Sequence, residues 1–353
     1  MAMRPSKLEQ LIAATQGARR AAMPRVIEPM LATLVDKPFN DPDWLFETKW
    51  DGVRAVCYFD RGRLRFVSRN QKEMGFRYPE LAEIKAAIAA RRAVFDGEIV
   101  AFDRRGRSNF QFLQSRIGLQ DEADIRAEMQ AHPVVYCVFD LLYCDGFNLM
   151  GCELIDRKAI LAAAIADHAH LKLSGHTAGD GIKAFRQAER RRLEGVIAKH
   201  RRSLYVQDRS SEWLKVKTVL RQEVVITGYT EPRGTRPLFG ALVVGLYANG
   251  ELRYVGHVGG GFNRQSLEQV YKRMQPLKAK RPPFAEPPHT NEAVQWLRPE
   301  MVCEVKFSEW TEDYIMRQPI FEGLRDDKEP RQCRIELSRE AARVVEKVDA
   351  RAS

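Results

Sequence analysis

The chain has 353 residues, which at roughly 150 residues per domain means about two domains and leaves no room for a large multidomain machine. Lys and Arg number 57 against 47 Asp and Glu, a net charge of +10 that points to a polyanionic partner and says nothing about fold. With 44% hydrophobic and 9% aromatic residues, global disorder is excluded.

Residues 1–25 form an N-terminal extension carrying Arg4, Lys7, Arg19, Arg20 and Arg25. The run LIAAT is too short for the core of a secretory signal, and Glu9 argues against a transit peptide, so a short exposed helix is expected. From 44 to 69 the pattern predicts a meander: WLFETK, a tight turn at Asp51-Gly52, VRAVCYF, a turn at 60–62, then LRFVSR. Leu81, Ile84 and Ile88 behind Pro79 predict a helix near 78–91, and AVFDGEIVAF at 93–102 reads as a strand. Ser108 is placed to cap a short helix reaching Ile117, and VVYCVFDLLY at 134–143 is a nearly continuous apolar strand. Helices near 153–168 and 180–192 frame a short strand, and strands at 195–199 and 212–217 close a first region with antiparallel sheets.

After Lys217 the pattern changes. EVVITGYT, GALVVGLYA and LRYVGHV are short strands between Gly- and Pro-rich turns, followed by a helix near 264–275 and a strand at 301–307, with a surface loop at 281–288. This predicts an α+β chain whose second part is a small barrel of the oligonucleotide-binding (OB) type. The expected domains are 26–219 and 220–345, with a tail at 346–353. The six cysteines form no C-x-x-C pair, the seven histidines have no metal spacing, and no stretch approaches the ~20 apolar residues that span a bilayer. Reduced thiols in a cytoplasmic protein are the expectation.

Lys49-Trp50-Asp51-Gly52-Val53-Arg54 puts a lysine at a strand end, where its amine can enter a cleft, with Glu47 on the same face. Surface hairpins often carry the same residue types, so the hexamer alone is weak. FDGE at 95–98 adds Asp96 and Glu98 on one strand face, EGVIAK at 194–199 adds Glu194, and WLKVK puts Lys215 and Lys217 on one face with Leu214 and Val216 turned into the core. Together they offer a nucleophilic lysine, carboxylates for a divalent cation, and two lysines to neutralise phosphate.

The ordered segments KWDGVR, SRN, FDGE, VFDLLY, EGVIAK and WLKVK resemble the motifs of the covalent nucleotidyltransferases, and PMLAT, DPDWLFETKWDGVR, LRYVGHVGGGF and FEGLRDDK resemble bacterial end-joining ATP-dependent DNA ligases. The resemblance implies an ATP-grasp-like nucleotidyltransferase domain followed by an OB barrel that folds over the nick. It implies that Lys49 attacks the α-phosphate of ATP, that AMP passes to the 5′-phosphate at a nick in duplex DNA, and that the 3′-hydroxyl displaces it. Glu47 matches a residue at the adenine amino group, with Thr48 beside it, and Phe139 matches an aromatic that stacks on the base. Arg54 and Arg69 match arginines near ribose and phosphates, and Glu98 and Glu194 match acidic residues near ribose and Mg²⁺ or Mn²⁺. Lys199 is assigned to the nucleotide site, although strand parity sets it opposite Glu194 unless Gly195 makes a bulge. Arg325 and Lys328 match the C-terminal motif that reaches the pyrophosphate; Ile320 stands where many ligases have an arginine, leaving that contact absent or supplied by Arg317.

A free lysine has a pKa of about 10.4, so deprotonation near pH 7.4 costs roughly 4 kcal/mol. Burial, Lys215, Lys217 and a bound cation are expected to lower that cost. The charge is uneven, +8 on residues 1–219 and +2 on the rest, and Arg186, Arg190, Arg191, Arg192, Arg201, Arg202 and Arg209 cluster around the last two motifs. A solvated helix face explains the arginines at 190–192 as well as DNA does. The expected protein is a nucleoid-associated monomer acting on nicked duplex DNA, with tolerance for a 3′-side ribonucleotide and end-joining proteins as partners. The alternatives are an RNA ligase or capping enzyme of the same superfamily, or a silent nucleic-acid-binding protein. An NAD-dependent ligase is disfavoured because its cysteine-rich zinc module is missing.

Overall fold

The computed structural model describes residues 7–335 except 233–235, 289, 291 and 312, so the expected tail at 346–353 and Arg4 lie outside the described residues. The described chain divides into two compact units, with the boundary after Thr218.

The first unit holds two sheets. The larger runs Arg19–Arg20, Phe147–Asn148, Val134–Cys144, Arg92–Ala101, Val53–Asp60, Arg63–Ser68, and Leu171–Leu173 joins Val134–Cys144 in parallel. The smaller runs His176–Gly179, Asp41–Thr48, Gly195–His200, Arg209–Lys217, Leu31–Leu34, the last pair parallel. The antiparallel expectation therefore holds for most pairs and fails for these two.

The expected meander at 44–69 is overturned. Asp41–Thr48 belongs to the smaller sheet while Val53–Asp60 pairs with Arg63–Ser68 in the larger, so residues 49–52 cross between sheets. Gly52 permits the crossing: a Cβ there would sit 2.3 Å from the carbonyl oxygen of Ile99.

Alternation divides each strand between two cores. Val53, Ala55, Cys57 and Phe59 face a large core, whereas Val56 and Tyr58 face a second core shared with Leu45, Phe139 and Trp213, which lies between the sheets. The far side of the smaller sheet, with Phe46, Val196, Leu214 and Val216, is covered by the helix Gly181–Arg190 through Ala184 and Ala188.

Four helical expectations need correction. The N-terminal helix, Lys7–Ala14, is not an exposed leader, because Leu8 and Ile12 are buried in the large core. The segment after Pro79 is a 3₁₀ helix, Pro79–Ala87, and its buried Leu81, Ile84 and Ala87 recur every third residue, the repeat of that tighter helix. The short helix is Phe110–Gln114, which puts Ser108 one residue outside the N-cap position, and the Ser108 hydroxyl accepts from the Asp51 amide at 3.3 Å. The helix expected at 180–192 ends at Arg190, and Arg192 has φ +54°, so the three arginines form a helix terminus and not a helix face.

In the second unit the strands run Glu251–Val258, Leu242–Ala248, Leu220–Thr230, Val294–Phe307, Ile320–Leu324, with the helix Arg264–Met274 against them. This is the expected oligonucleotide-binding architecture. Its ladder does not close completely: Gly260 meets Ile320 in one isolated bridge. Phe284, inside the expected surface loop, is buried in this core. Among the described residues, no helix is long and apolar enough to cross a membrane, and all six cysteines are buried free thiols.

Candidate active site

Registers in the smaller sheet decide which side chains share a face. Ile197 lies opposite both Glu47 and Lys215, Gly195 opposite Lys217, and Lys199 opposite Trp213, with no register shift in either ladder. Lys49 continues the same parity just past the strand, its amide donating to the Gly195 carbonyl at 3.0 Å. Glu47, Lys49, Lys199, Lys215 and Lys217 thus belong to one face, the one turned toward the larger sheet. Thr48 alternates to the other face with Phe46 and lines a cavity of about 240 Å³ under the helix Gly181–Arg190.

Glu194 reaches Lys49 without a bulge. It lies before the strand, and Gly195 at φ +152° turns it so that its Oε2 is 2.5 Å from the Lys49 Nζ. Two constraints exclude any other residue at 195: the positive φ, and a Cβ that would sit 2.1 Å from the Val216 carbonyl oxygen. Gly195→Ala is expected to cost about 2 kcal/mol in a urea unfolding titration and to slow modification of Lys49 because Glu194 is mis-aimed.

Burial alone would lower the Lys49 pKa, but Glu194 first, then Glu98 and Asp51, outweigh it and hold the amine above the ordinary lysine value. Burial acts in the expected direction, but the neighbouring carboxylates outweigh it. The same geometry bears on a metal. Glu194 and Glu98 are among the carboxylates that act on Lys49, and no group of three or more His, Cys, Asp and Glu able to hold an ion exists among the described residues. A set this small fits Mg²⁺ bound mainly through phosphates and water, and does not make an all-protein cage.

The larger sheet supplies the opposite wall. Arg54 forks onto Asp96, Nε to Oδ1 at 2.9 Å and the second nitrogen to Oδ2 at 2.6 Å, and the Tyr205 hydroxyl donates to Oδ2 at 2.7 Å. So held, the Arg54 guanidinium lies 5.1 Å from the Phe139 ring centroid. The Lys199 amine lies 4.2 Å from Phe139 and 4.1 Å from Trp213. Burial lowers its pKa to about 8 despite Glu47. Phe139 is 9% exposed. Arg69 is half-buried in the turn after Arg63–Ser68.

The remaining candidates belong to the second unit, where its own contacts hold them. Arg325 forks onto Asp327 with both bonds at 2.8 Å, Lys328 pairs with Glu223 at 3.1 Å, and the exposed Arg317 pairs with Glu309 at 3.0 Å.

Sequence reasoning missed Lys158, whose amine is 2.7 Å from Glu47 Oε1, and Arg157, which forks onto Asp140 at 2.8 and 2.9 Å with neither side chain exposed. The only signal was two adjacent cations on a helix whose other residues are largely apolar. The anchor role of Asp96 also went unread, although the residue itself was singled out.

Residues 29–217 match the family described as ATP dependent DNA ligase domain, and residues 235–328 match the ATP dependent DNA ligase C terminal region. The multifunctional non-homologous end joining protein LigD of Pseudomonas aeruginosa is 39% identical over 89% of this chain, which spans 37% of that relative. The LigD of Mycolicibacterium smegmatis is 37% identical over 88% of the chain, which spans 40% of it. A solved structure of mycobacterial DNA ligase D complexed with ATP and MES superposes with a TM-score of 0.63 at 32% identity, covering 88% of this chain and 98% of that one. With both family matches lying in the expected order along it, the chain belongs to the ATP-dependent DNA ligases.

Proposed function

We propose that this protein seals 5′-phosphate/3′-hydroxyl nicks in duplex DNA through a lysyl-AMP intermediate on Lys49. The observation that carries the reading is the pairing of Lys49 with Glu194 on a sheet face that also bears Lys215 and Lys217. Lys49 first gives up its ammonium proton to solvent; the neutral amine then attacks the α-phosphate of ATP, the P–N bond forms, the bond to pyrophosphate breaks, and the nitrogen sheds a second proton to solvent. Lys215 and Lys217 neutralise charge as that phosphorus becomes five-coordinate. Phe139 offers a face to the base, Glu47 an acceptor to its amino group, and Arg54, fixed by Asp96, a donor to ribose or phosphate. Glu194 and Glu98 would hold Mg²⁺ or Mn²⁺, which lends Lewis acidity at the phosphates when bound. Arg325 and Lys328 would act on the pyrophosphate after leaving their carboxylate partners; at Ile320 the usual arginine contact is either absent or supplied by Arg317.

The 5′-phosphate of the nick then attacks Lys49-AMP, and the 3′-hydroxyl displaces AMP. The likeness to LigD supports a role in end joining with end-joining proteins as partners; tolerance of a 3′-side ribonucleotide and nucleoid association are further parts of the proposal. Incubation with α-labelled ATP and Mg²⁺ is expected to label the protein on Lys49, and addition of nicked duplex to discharge the label. Labelling by neither ATP nor GTP overturns the reading. Affinity for the nicked duplex, measured from 50 to 200 mM salt, is expected to fall at least about tenfold as arginine–phosphate contacts are lost; a flat response removes those arginines from the interface.

A further inference from the structure

Glu47 is 2% exposed, and two ammonium groups approach the same oxygen of it. Lys158 comes from the helix Leu154–Ala164 at 2.7 Å, and Lys199 from its own sheet at 3.0 Å. Both approaches are off-axis, so Oε1 has no well-directed hydrogen bond and keeps its capacity to accept one. The Lys158 amine also donates to the Phe139 carbonyl at 3.3 Å. One buried cation therefore touches both the residue read as meeting the edge of the base and the backbone of the residue read as covering its face. The neighbouring Arg157 pins that helix position, forking onto Asp140 and bonding the carbonyls of Cys152 at 2.7 Å and Ser203 at 2.9 Å.

We propose that Lys158 is a positioning residue for nucleobase selection: it ties Glu47 to Phe139 and keeps the Glu47 carboxylate ionised and aimed to accept from the 6-amino group of a purine. The inference rests on the reading of this cleft as an adenylate site. Burial pushes the Glu47 carboxyl up, but Lys158 first, and Lys199 after it, hold it below the usual carboxylate range. Lys199 is the weaker holder, standing at 3.0 Å from Glu47 Oε1 against 2.7 Å for Lys158. An ionised carboxylate accepts from an amine and repels the carbonyl oxygen that guanine carries at the same place; a protonated acid would donate to that oxygen and lose the distinction.

The test compares lysyl-nucleotide formation with ATP and with purine riboside triphosphate, which lacks the 6-amino group. In the wild type, KM for ATP is expected to be lower by about tenfold or more. In Lys158→Met, KM for ATP is expected to rise about tenfold with kcat within about threefold, while KM for purine riboside triphosphate stays put. Lys158→Arg, which keeps the charge, is expected to retain most of the ATP preference. In a Glu47→Gln background, Lys158→Met should have no further effect on the ratio. Because Lys158→Met leaves Glu47 with a single partner and could fold poorly, Glu47→Gln/Lys158→Met, which removes both charges, is compared with Glu47→Gln alone. An equal penalty with both nucleotides, or a loss confined to kcat, makes Lys158 merely structural and overturns the inference while lysyl-AMP formation stands. A wild type that ATP does not label takes both readings down together.

Discussion

Lys49→Ala is expected to abolish label transfer from α-labelled ATP and to cut nick sealing about 10⁴-fold or more, a loss of at least about 5 kcal/mol in transition-state stabilisation. The size follows from the proposed role, in which Lys49 is the nucleophile of the first step and the leaving group of the second, with no neighbouring amine placed to replace it. Lys215 and Lys217 share its sheet face but sit on a strand separated from it by Gly195–His200, and Lys199 lies buried between Phe139 and Trp213. The third step does not use the Lys49 amine. A nick supplied with its 5′ end already adenylylated should therefore still be sealed by Lys49→Ala, within about a hundredfold of the wild-type rate. Loss of that reaction as well would mean that the substitution has damaged the cleft and not just removed the nucleophile.

The parts of this site that were legible from sequence are those governed by period-two alternation. Lys215 and Lys217 on one face, with Leu214 and Val216 on the other, follow from spacing alone, and the structure places them so. Alternation does not say which sheet a strand joins. Residues 44–69 read as a continuous meander because turn residues and apolar alternation are local, whereas the transfer of Asp41–Thr48 to a second sheet is decided by partners distant in sequence, His176–Gly179 and Gly195–His200. The crossing that results is what brings Lys49 into the cleft. Lys199 was ambiguous for a related reason: parity within its strand is correct, but Glu194 lies outside the strand and Gly195 re-aims it. Lys158 and Arg157 stayed hidden because a cation on a helix is ordinarily solvated. Their burial depends on acids, Glu47 and Asp140, that two different sheets deliver.

The buried pair of Asp140 and Arg157 carries the largest expected effect on stability. Neither side chain is exposed, and the third guanidinium nitrogen bonds two carbonyls, so Arg157→Met strands a carboxylate in the interior and should cost about 3–5 kcal/mol at neutral pH. Asp140→Asn is expected to cost less, since Arg157 keeps its bonds to Cys152 and Ser203. The pH dependence separates a lost ion pair from lost packing. Burial pushes the Asp140 carboxyl up, but Arg157 first, with Lys199 and Lys158 behind it, holds it below the usual carboxylate range. A depressed folded-state pKa gives stability that is present above the unfolded value of about 3.9 and is lost as pH falls through the folded value. In Arg157→Met the main opposing charge is gone, desolvation raises the carboxyl, and its protonation relieves the stranded charge. The difference from wild type should therefore be greatest near pH 7 and shrink toward pH 4 in urea titrations. A difference that is constant across that range would assign the cost to packing. Because Arg157 also fixes the turn of helix that carries Lys158, partly destabilised Arg157 variants should show a raised KM for ATP at temperatures where they remain folded, joining the stability of this pair to the selection of the base.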